Sequence, residues 1–440
     1  MRKSLIILLL LFVIGVVSCF MIGNNIYSKR ELIAYQQTTN YGDISSAQGL
    51  KLTSVDYNVN TADYGYNWQN ELSFDGAEGF QSHTVFRNEK YNKYNKQLLY
   101  ERFHVELLIN ATNDEKLGEA LIEFHQQKEY EKRVAVKDYI DYYPVKCEIA
   151  ALVDSDSKQK WYVVLNSERQ FADYFRIPVL DNEYYLIDEG GIGHSTRAGD
   201  DCFDTFFRSV ADDEAIYLWF SNRTPTGALV DTSLIPGGYG IYRLPYGYTG
   251  HENDQSSQPY YTGYDVFDEQ LSTLYSLEEQ AIIMDVRVFP QASQIVLMIS
   301  LDDQSLVRII DSHTGELIRE HLLSESSMNY MVSCDDNYAY IDNEEKVVVI
   351  KPGQNPDQMI VTFDIPRAYQ SGDICYRMNN YAYKDNTLAV VSSYTNENVF
   401  DLNIYGESGL IYSGTFNSNL GPSGRYPGIR HIIDEVHWSE

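Results

Sequence analysis

The side chains able to do chemistry in this chain are plentiful but scattered. Nine histidines stand at 83, 104, 125, 194, 251, 313, 321, 431 and 437, with no H-x-H pair and no helical H-E-x-x-H. The spacing with which two imidazoles on one element grip zinc is therefore missing. His431 and His437 come nearest, and their interval matches no common ligand pair, so both are read as ordinary core or surface residues. Acidic pairs recur at Asp200-Asp201, Asp212-Asp213, Asp302-Asp303 and Asp335-Asp336. None has the D-x-D-x-D-G order of a calcium loop, and Asp oxygens readily accept hydrogen bonds from nearby backbone N–H groups, so turn formation accounts for them. Hydrolysis of a glycan would need two carboxyl groups facing one another across a sugar, a geometry that strand spacing does not reveal. No metal site, no cofactor site and no catalytic residue is assigned.

One segment has the composition of a ligand loop. Gly190-Gly-Ile-Gly-His-Ser-Thr-Arg-Ala-Gly199 follows the apolar stretch Tyr184 to Ile187. It completes neither G-x-G-x-x-G, because Thr196 stands where the last glycine belongs, nor a serine-nucleophile turn, because Ser195 lacks the flanking glycines. It is read as an inter-strand loop, and Gly193, His194, Ser195 and Arg197 are its candidate binding residues. Ser73 to Phe80 resembles a sialidase-type Asp box, but it occurs singly and its glycine is misplaced. Trp68, Trp161, Trp219, Trp438, Tyr260, Tyr261 and Tyr264 could stack on sugars or peptides; aromatic strands need packing whatever the function, so core or strand-face positions are expected.

These residues must be held by a large folded body. The chain has 440 residues, is 44% hydrophobic and 13% aromatic, and carries 37 tyrosines, a composition that suits half-wet β-strands rather than disorder. Thirty-four basic against 63 acidic residues give a formal charge of -29, which opposes binding to nucleic acid or anionic lipid headgroups. Besides Cys19, the cysteines are Cys147, Cys202, Cys334 and Cys375. They lack zinc spacing and read as buried thiols, with Cys334 and Cys375 the first candidate pair if any is oxidised.

The N-terminus carries a different signal. Arg2 and Lys3 precede an uncharged run from Leu5 to Gly23, followed by Lys29 and Arg30. At 1.5 Å per residue the run spans roughly 28 Å, the thickness of a bilayer core, and it is longer than a typical signal-peptide apolar region. The reading is a retained single-pass helix with its N-terminus in the cytoplasm. Val16-Val17-Ser18-Cys19 also resembles a bacterial lipobox, which would make Cys19 a lipidation site, although Phe20-Met21-Ile22 continues the apolar run. Lipidation or cleavage would equally place the body outside.

Residues 30–80, polar and rich in Gln, Asn, Thr and Ser, read as a spacer or an irregular opening strand. Residues 81–440 read as a β-rich extracytoplasmic domain, and 1–29 as cytoplasmic tip and anchor. One helix is expected over Asp114 to Lys132, with Thr112 and Glu115 as capping box and Leu117, Ala120, Leu121 and Phe124 on one face. A strand pattern resumes at Val134 and continues to Tyr143. Hairpins are expected over Lys146 to Leu165 and Ala215 to Tyr242. Three further meanders follow over 295–323, 338–363 and 387–416, with final turns near Gly315, Gly353 and Gly409.

That interval of about 40 to 55 residues is the range of propeller blades. Asp311-Ser-His-Thr-Gly315 resembles the strand-turn-strand element of bacterial β-propellers, and 281–417 resembles such blades in layout, although no W-D dipeptide or kelch double glycine recurs. The resemblance implies an all-β, β-propeller-like ectodomain with one inserted helix. The function expected is a membrane-anchored, non-enzymatic binding or scaffold module of the cell envelope, whose partner is another envelope protein, a peptide or a glycan. An envelope hydrolase acting on glycans through acidic residues is the alternative.

Overall fold

The structure is a computed structural model. It describes residues 12–13, 15–19, 21, 34–58, 67–75, 79–87, 103–107, 115–143, 145–154, 160–165, 171, 173–181, 184–188, 191–193, 205–224, 227–248, 264–326, 330–343, 345–365, 377–394, 399–419 and 429–439. The chain is all-β, with several small antiparallel sheets and few helices, and it divides into two units. One comprises residues 1–93, 330–351 and 360–440, and the other residues 94–329 and 352–359.

The first unit holds three sheets. Met331–Cys334, Ala339–Asp342, Lys346–Ile350 and Ile360–Asp364 form a four-stranded meander. Arg377–Lys384, Thr387–Tyr394, Val399–Gly406 and Gly409–Ser418 form the next, and β1 (Tyr35–Gly42) adds a fifth strand by pairing antiparallel with Gly409–Ser418. In the third, the C-terminal strand Ile429–Trp438 pairs with β2 (Leu50–Asn58), which continues into β3 (Asn67–Asp75) and β4 (Gly79–Arg87). Thus strands from the early and the late parts of the sequence share two sheets. Phe416 packs against Phe74 at 5.6 Å, Phe80 at 4.8 Å and Phe400 at 4.9 Å between ring centroids, joining two of these sheets. Edge-to-face and offset contacts of this kind add to the area that the rings bury.

The described residues of the stretch read as a spacer or an irregular opening strand thus include three regular strands, Tyr35–Gly42, Leu50–Asn58 and Asn67–Asp75. Their apolar groups alternate with period two: Trp68, Asn70, Leu72 and Phe74 are buried while Gln69, Glu71 and Asp75 are exposed. The pattern is hard to see because Asn70, Ser54 and Asp56 occupy buried positions, where they satisfy one another by hydrogen bonds.

The second unit carries a four-stranded meander of Ile282–Phe289, Gln294–Leu301, Gln304–Asp311 and Leu317–Ser324. Its central strands are buried almost throughout, as the continuous apolar runs IVLMIS and LVRII require. Asp302 and Asp303 adopt φ of 49° and 64°, the left-handed pair of a two-residue hairpin, which Asp tolerates better than most residues. A larger sheet contains the expected hairpins, seen as Val145–Asp154 with Lys160–Leu165 and Ala215–Trp219 with Gly240–Tyr248. Ser272–Ser276 also pairs with Gly240–Tyr248. Each expected meander over 295–323, 338–363 and 387–416 gains a first strand that the sequence reading omitted: 282–289, 331–334 and 377–384.

The expected helix is Glu115–Gln126, shorter than its reading. Leu117 and Leu121 are fully buried on one side, whereas Ile122 is half exposed on the other. Lys128 and Glu131 have positive φ and end it. Thr112 lies outside the described residues. The strand expected over 134–143 is only Arg133–Ala135, followed by a 3-10 turn at Val136–Asp138. Tyr143 N then donates to Ile177 O and Val179 N to Asp141 O, so this stretch bonds to an irregular segment instead of a ladder.

Of the apolar run at 5–23, residues 12–13, 15–19 and 21 are described, and they are helical. Among the described residues no helix is long and apolar enough to cross a membrane. Most of the expected anchor lies outside them.

Candidate functional site

Turns between strands bring chemically competent side chains together. In the second unit Asp212 opens the turn before Ala215–Trp219. Its Oδ1 accepts from the backbone N–H of Glu214 at 2.9 Å and Ala215 at 2.8 Å, and its Oδ2 accepts from Tyr217 Oη at 2.7 Å. Tyr217 also reaches Ser312 O at 3.4 Å, and Tyr246 donates to Asp212 O. Burial, and then the bond to Asp212, push the Tyr217 phenol well above its ordinary pKa.

The facing turn is Asp311 to Glu316. Asp311 Oδ1 accepts from the backbone N–H of His313 at 2.9 Å and Thr314 at 2.7 Å, and the bond from Thr314 leads the causes that hold its carboxyl below the usual range. Gly315 has φ of 71°, and a Cβ there would stand 1.9 Å from Leu274 O, so only glycine lets this turn lie against the neighbouring strand. The two turns meet through His313 Nε2, 3.2 Å from Glu214 Oε2, with Arg243 3.8 Å from the same oxygen. Ser312 Oγ lies 3.2 Å from His313 Nδ1.

Hydroxyl, imidazole and carboxylate thus stand in a chain, the connectivity of an activated nucleophile. The burial is wrong for that use. Ser312 is 1% exposed, so its oxygen cannot meet a substrate, whereas the carboxylate meant to orient the histidine is 64% exposed on Glu214. What the two turns offer outward is a polar surface carrying Asp213, Glu214 and His313.

The Asp212 arrangement recurs in the first unit. Asp335 accepts at Oδ1 from Asn337 N and Tyr338 N, both at 2.8 Å, and at Oδ2 from Tyr340. Two of the acidic pairs are therefore turn caps of one design, and Asp302-Asp303 is a hairpin turn, as the turn reading expected. Asp200-Asp201 lies outside the described residues. Asp342 is buried on the adjoining strand, where Tyr381 and, at 3.0 Å, Asn379 donate to its Oδ2.

Of the candidate binding loop, Gly193 closes the short strand Gly191–Gly193, which pairs back on Tyr184–Asp188. The glycines thus extend a hairpin where a loop was expected. His194, Ser195 and Arg197 lie outside the described residues. Cys19 is helical and exposed, and Cys334 is exposed at the end of its strand. Cys202 and Cys375 lie outside the described residues, as does the side chain of Cys147. His431 is fully buried and His437 exposed, so the two do not converge. Trp68 and Trp219 are core residues, as expected. No group of three or more His, Cys, Asp or Glu suited to a metal ion occurs among the described residues.

Sequence reasoning missed Glu214, Arg243 and the joining of the two turns. The legible trace was the five-residue interval from Asp212 to Tyr217, repeated from Asp335 to Tyr340.

No family model and no curated protein matches the chain. Among solved structures it is similar to Hsv2 of Kluyveromyces lactis, with 7% identity over 92% of this chain and 99% of that one and a TM-score of 0.27. It is similar to the Dos1 propeller, with 8% identity over 65% and 78% and a TM-score of 0.25. BamB from Moraxella catarrhalis matches with 9% identity over 87% and 100% and a TM-score of 0.19. Likenesses of this size carry no argument about function.

Proposed function

We propose that the chain is a membrane-anchored, extracytoplasmic module of β-propeller type that binds and positions an envelope partner without transforming it. Blade-sized antiparallel meanders opening at Ile282, Met331 and Arg377, and the four-stranded sheet that Ile429–Trp438 forms with β2, β3 and β4, support the architecture. The uncharged run from Leu5 to Gly23 supports the anchor. The observation that carries binding over catalysis is the use of the carboxylates: Asp212 and Asp311 are spent on backbone N–H groups of the turns they open, and the chain of Ser312, His313 and Glu214 has its serine buried. Such turns present a preformed surface, which lowers the ordering cost of association.

Two measurements test this. Protease treatment of intact cells should remove a C-terminal tag; a protected tag, with protease access demonstrated, overturns the topology. Cross-linking in cells should recover a partner that is lost on exchanging Glu214→Lys together with His313→Ala in a protein that still folds. Hydrolysis of an envelope glycan that depends on Glu214 would instead establish the hydrolase reading.

A further inference from the structure

Early strands and the strand Ile429–Trp438 meet over a buried polar cluster that the proposed binding surface does not use. Tyr35 from β1, Asp56 from β2 and His431 from the C-terminal strand are 5%, 0% and 1% exposed. Tyr35 Oη donates to Asp56 Oδ2 at 3.1 Å, and His431 Nδ1 lies 3.0 Å from Asp56 Oδ1 and 3.2 Å from Tyr35 Oη. From β3, Asn70 Nδ2 donates to Asp56 Oδ2 at 2.8 Å, and Thr84 of β4 donates to Asn70 Oδ1 at 2.8 Å. The groups facing the imidazole are therefore Asp56 and Tyr35, together with the Phe400 ring, stacked on it at 6.4 Å and 13°. Nε2 of His431 is buried and has no hydrogen-bond partner among the described residues.

This geometry assigns one proton to the imidazole. Asp56 is an acceptor only, so Nδ1 carries the hydrogen that lies between them, and a second proton has to enter at Nε2. There it would be a buried ionic N–H with no acceptor among the described residues, a costly arrangement in a protein interior. The carboxylate of Asp56 would attract the added charge, but Tyr35 and Asn70 already donate to it from two other strands. Water becomes available to Nε2–H only when the strands part.

We propose that His431 is an acid-sensitive latch between β2 and Ile429–Trp438: protonation at Nε2 releases these two strands while Met331–Cys334, Ala339–Asp342, Lys346–Ile350 and Ile360–Asp364, in the same unit, stay paired. Opening coupled to one proton changes an equilibrium by up to about tenfold per pH unit.

The test is segment-resolved hydrogen exchange of the full chain, expressed as protection factors between about pH 8 and pH 5, the histidine range. Protection over 50–58 and 429–438 is expected to fall with acid, while that over 346–350 holds. His431→Asn places an amide donor near Nδ1 and cannot take up a proton, so it should remove the pH dependence and keep the strands paired. Equal loss over 346–350, no loss in the wild type, or an undiminished pH dependence in the Asn variant each overturns the proposal. If that variant does not fold, Tyr35→Phe, which thins the cluster and leaves the imidazole, should shift the opening to higher pH; no shift overturns the proposal.

Discussion

The phenol of Tyr340 donates its hydrogen bond to Oδ2 of Asp335, five residues earlier, while Oδ1 of the same carboxylate holds the turn between them. Tyr217 and Asp212 repeat the relationship in another sheet. The aromatic ring is buried in the core and its hydroxyl fixes the hairpin that delivers it there, so one side chain serves both packing and turn geometry. Tyr340→Phe and Tyr217→Phe keep the ring and strand a carboxylate oxygen. Each should cost about 1–3 kcal/mol in urea unfolding, the penalty for a buried polar group that loses its partner.

Gly315→Ala should destabilise the second unit for two reasons, the left-handed backbone and the approach of Leu274 O. Gly79, with φ of 77° and nothing within 4 Å of a Cβ, isolates the first reason. Thermal unfolding should show a modest loss for Gly79→Ala, of about 1–2 kcal/mol, and a clearly larger one for Gly315→Ala.

Alkali should unfold the protein cooperatively. Burial pushes Tyr412, whose hydroxyl accepts from Gln37 Nε2 at 3.0 Å, and Tyr239 up to about 12. A phenol whose folded pKa exceeds its unfolded value of 10.0 contributes stability that is whole below pH 10 and lost as the pH rises toward 12. Tyrosinate absorbance should therefore rise in the same step as the loss of β-structure. Smooth titration of all tyrosines near 10 with the sheets intact would contradict this.

On the acid side, Arg308 is the reporter. Its side chain is 7% exposed and holds Glu278 through two bonds of 2.8 and 2.9 Å, with Glu320 at 2.7 Å. The Arg308 hydrogen bond is the leading cause that keeps the Glu278 carboxyl below its ordinary value of 4.5. The stability it adds is present above that ordinary value and lost as the pH falls through the lower folded one. Glu278 is 45% exposed, so water screens the pair. Glu278→Gln should cost no more than about 1 kcal/mol at neutral pH and should flatten the acid limb of the stability curve.

The strands of the C-terminal half were legible because IVLMIS, LVRII and KVVVI are short apolar runs bounded by turn residues. Their first partners, such as Met331–Cys334, were not, because they carry mixed side chains. The early strands were hidden for a different reason: Ser54, Asp56 and Asn70 put polar residues where a hydrophobic pattern is sought, and their hydrogen bonds to one another across neighbouring strands, with His431 joining Asp56 from 375 residues on, make them compatible with burial. The candidate site was legible as turns but not as a site, since the contact of Glu214 with His313 joins residues 99 apart.

That distance is short beside the bond between Ala34 and Asn419, 385 residues apart. At about 5–20 residues per second of synthesis, β1 waits roughly 20–75 seconds for its partner to be made. Throughout that time β1 and β2 are complete strands with open edges, the kind of surface that recruits other chains. Early release of the polypeptide, even a few tens of residues short, leaves those edges without the strands that cover them. The edges of β1 and β2 are covered only once Gly409–Ser418 and Ile429–Trp438 have been made.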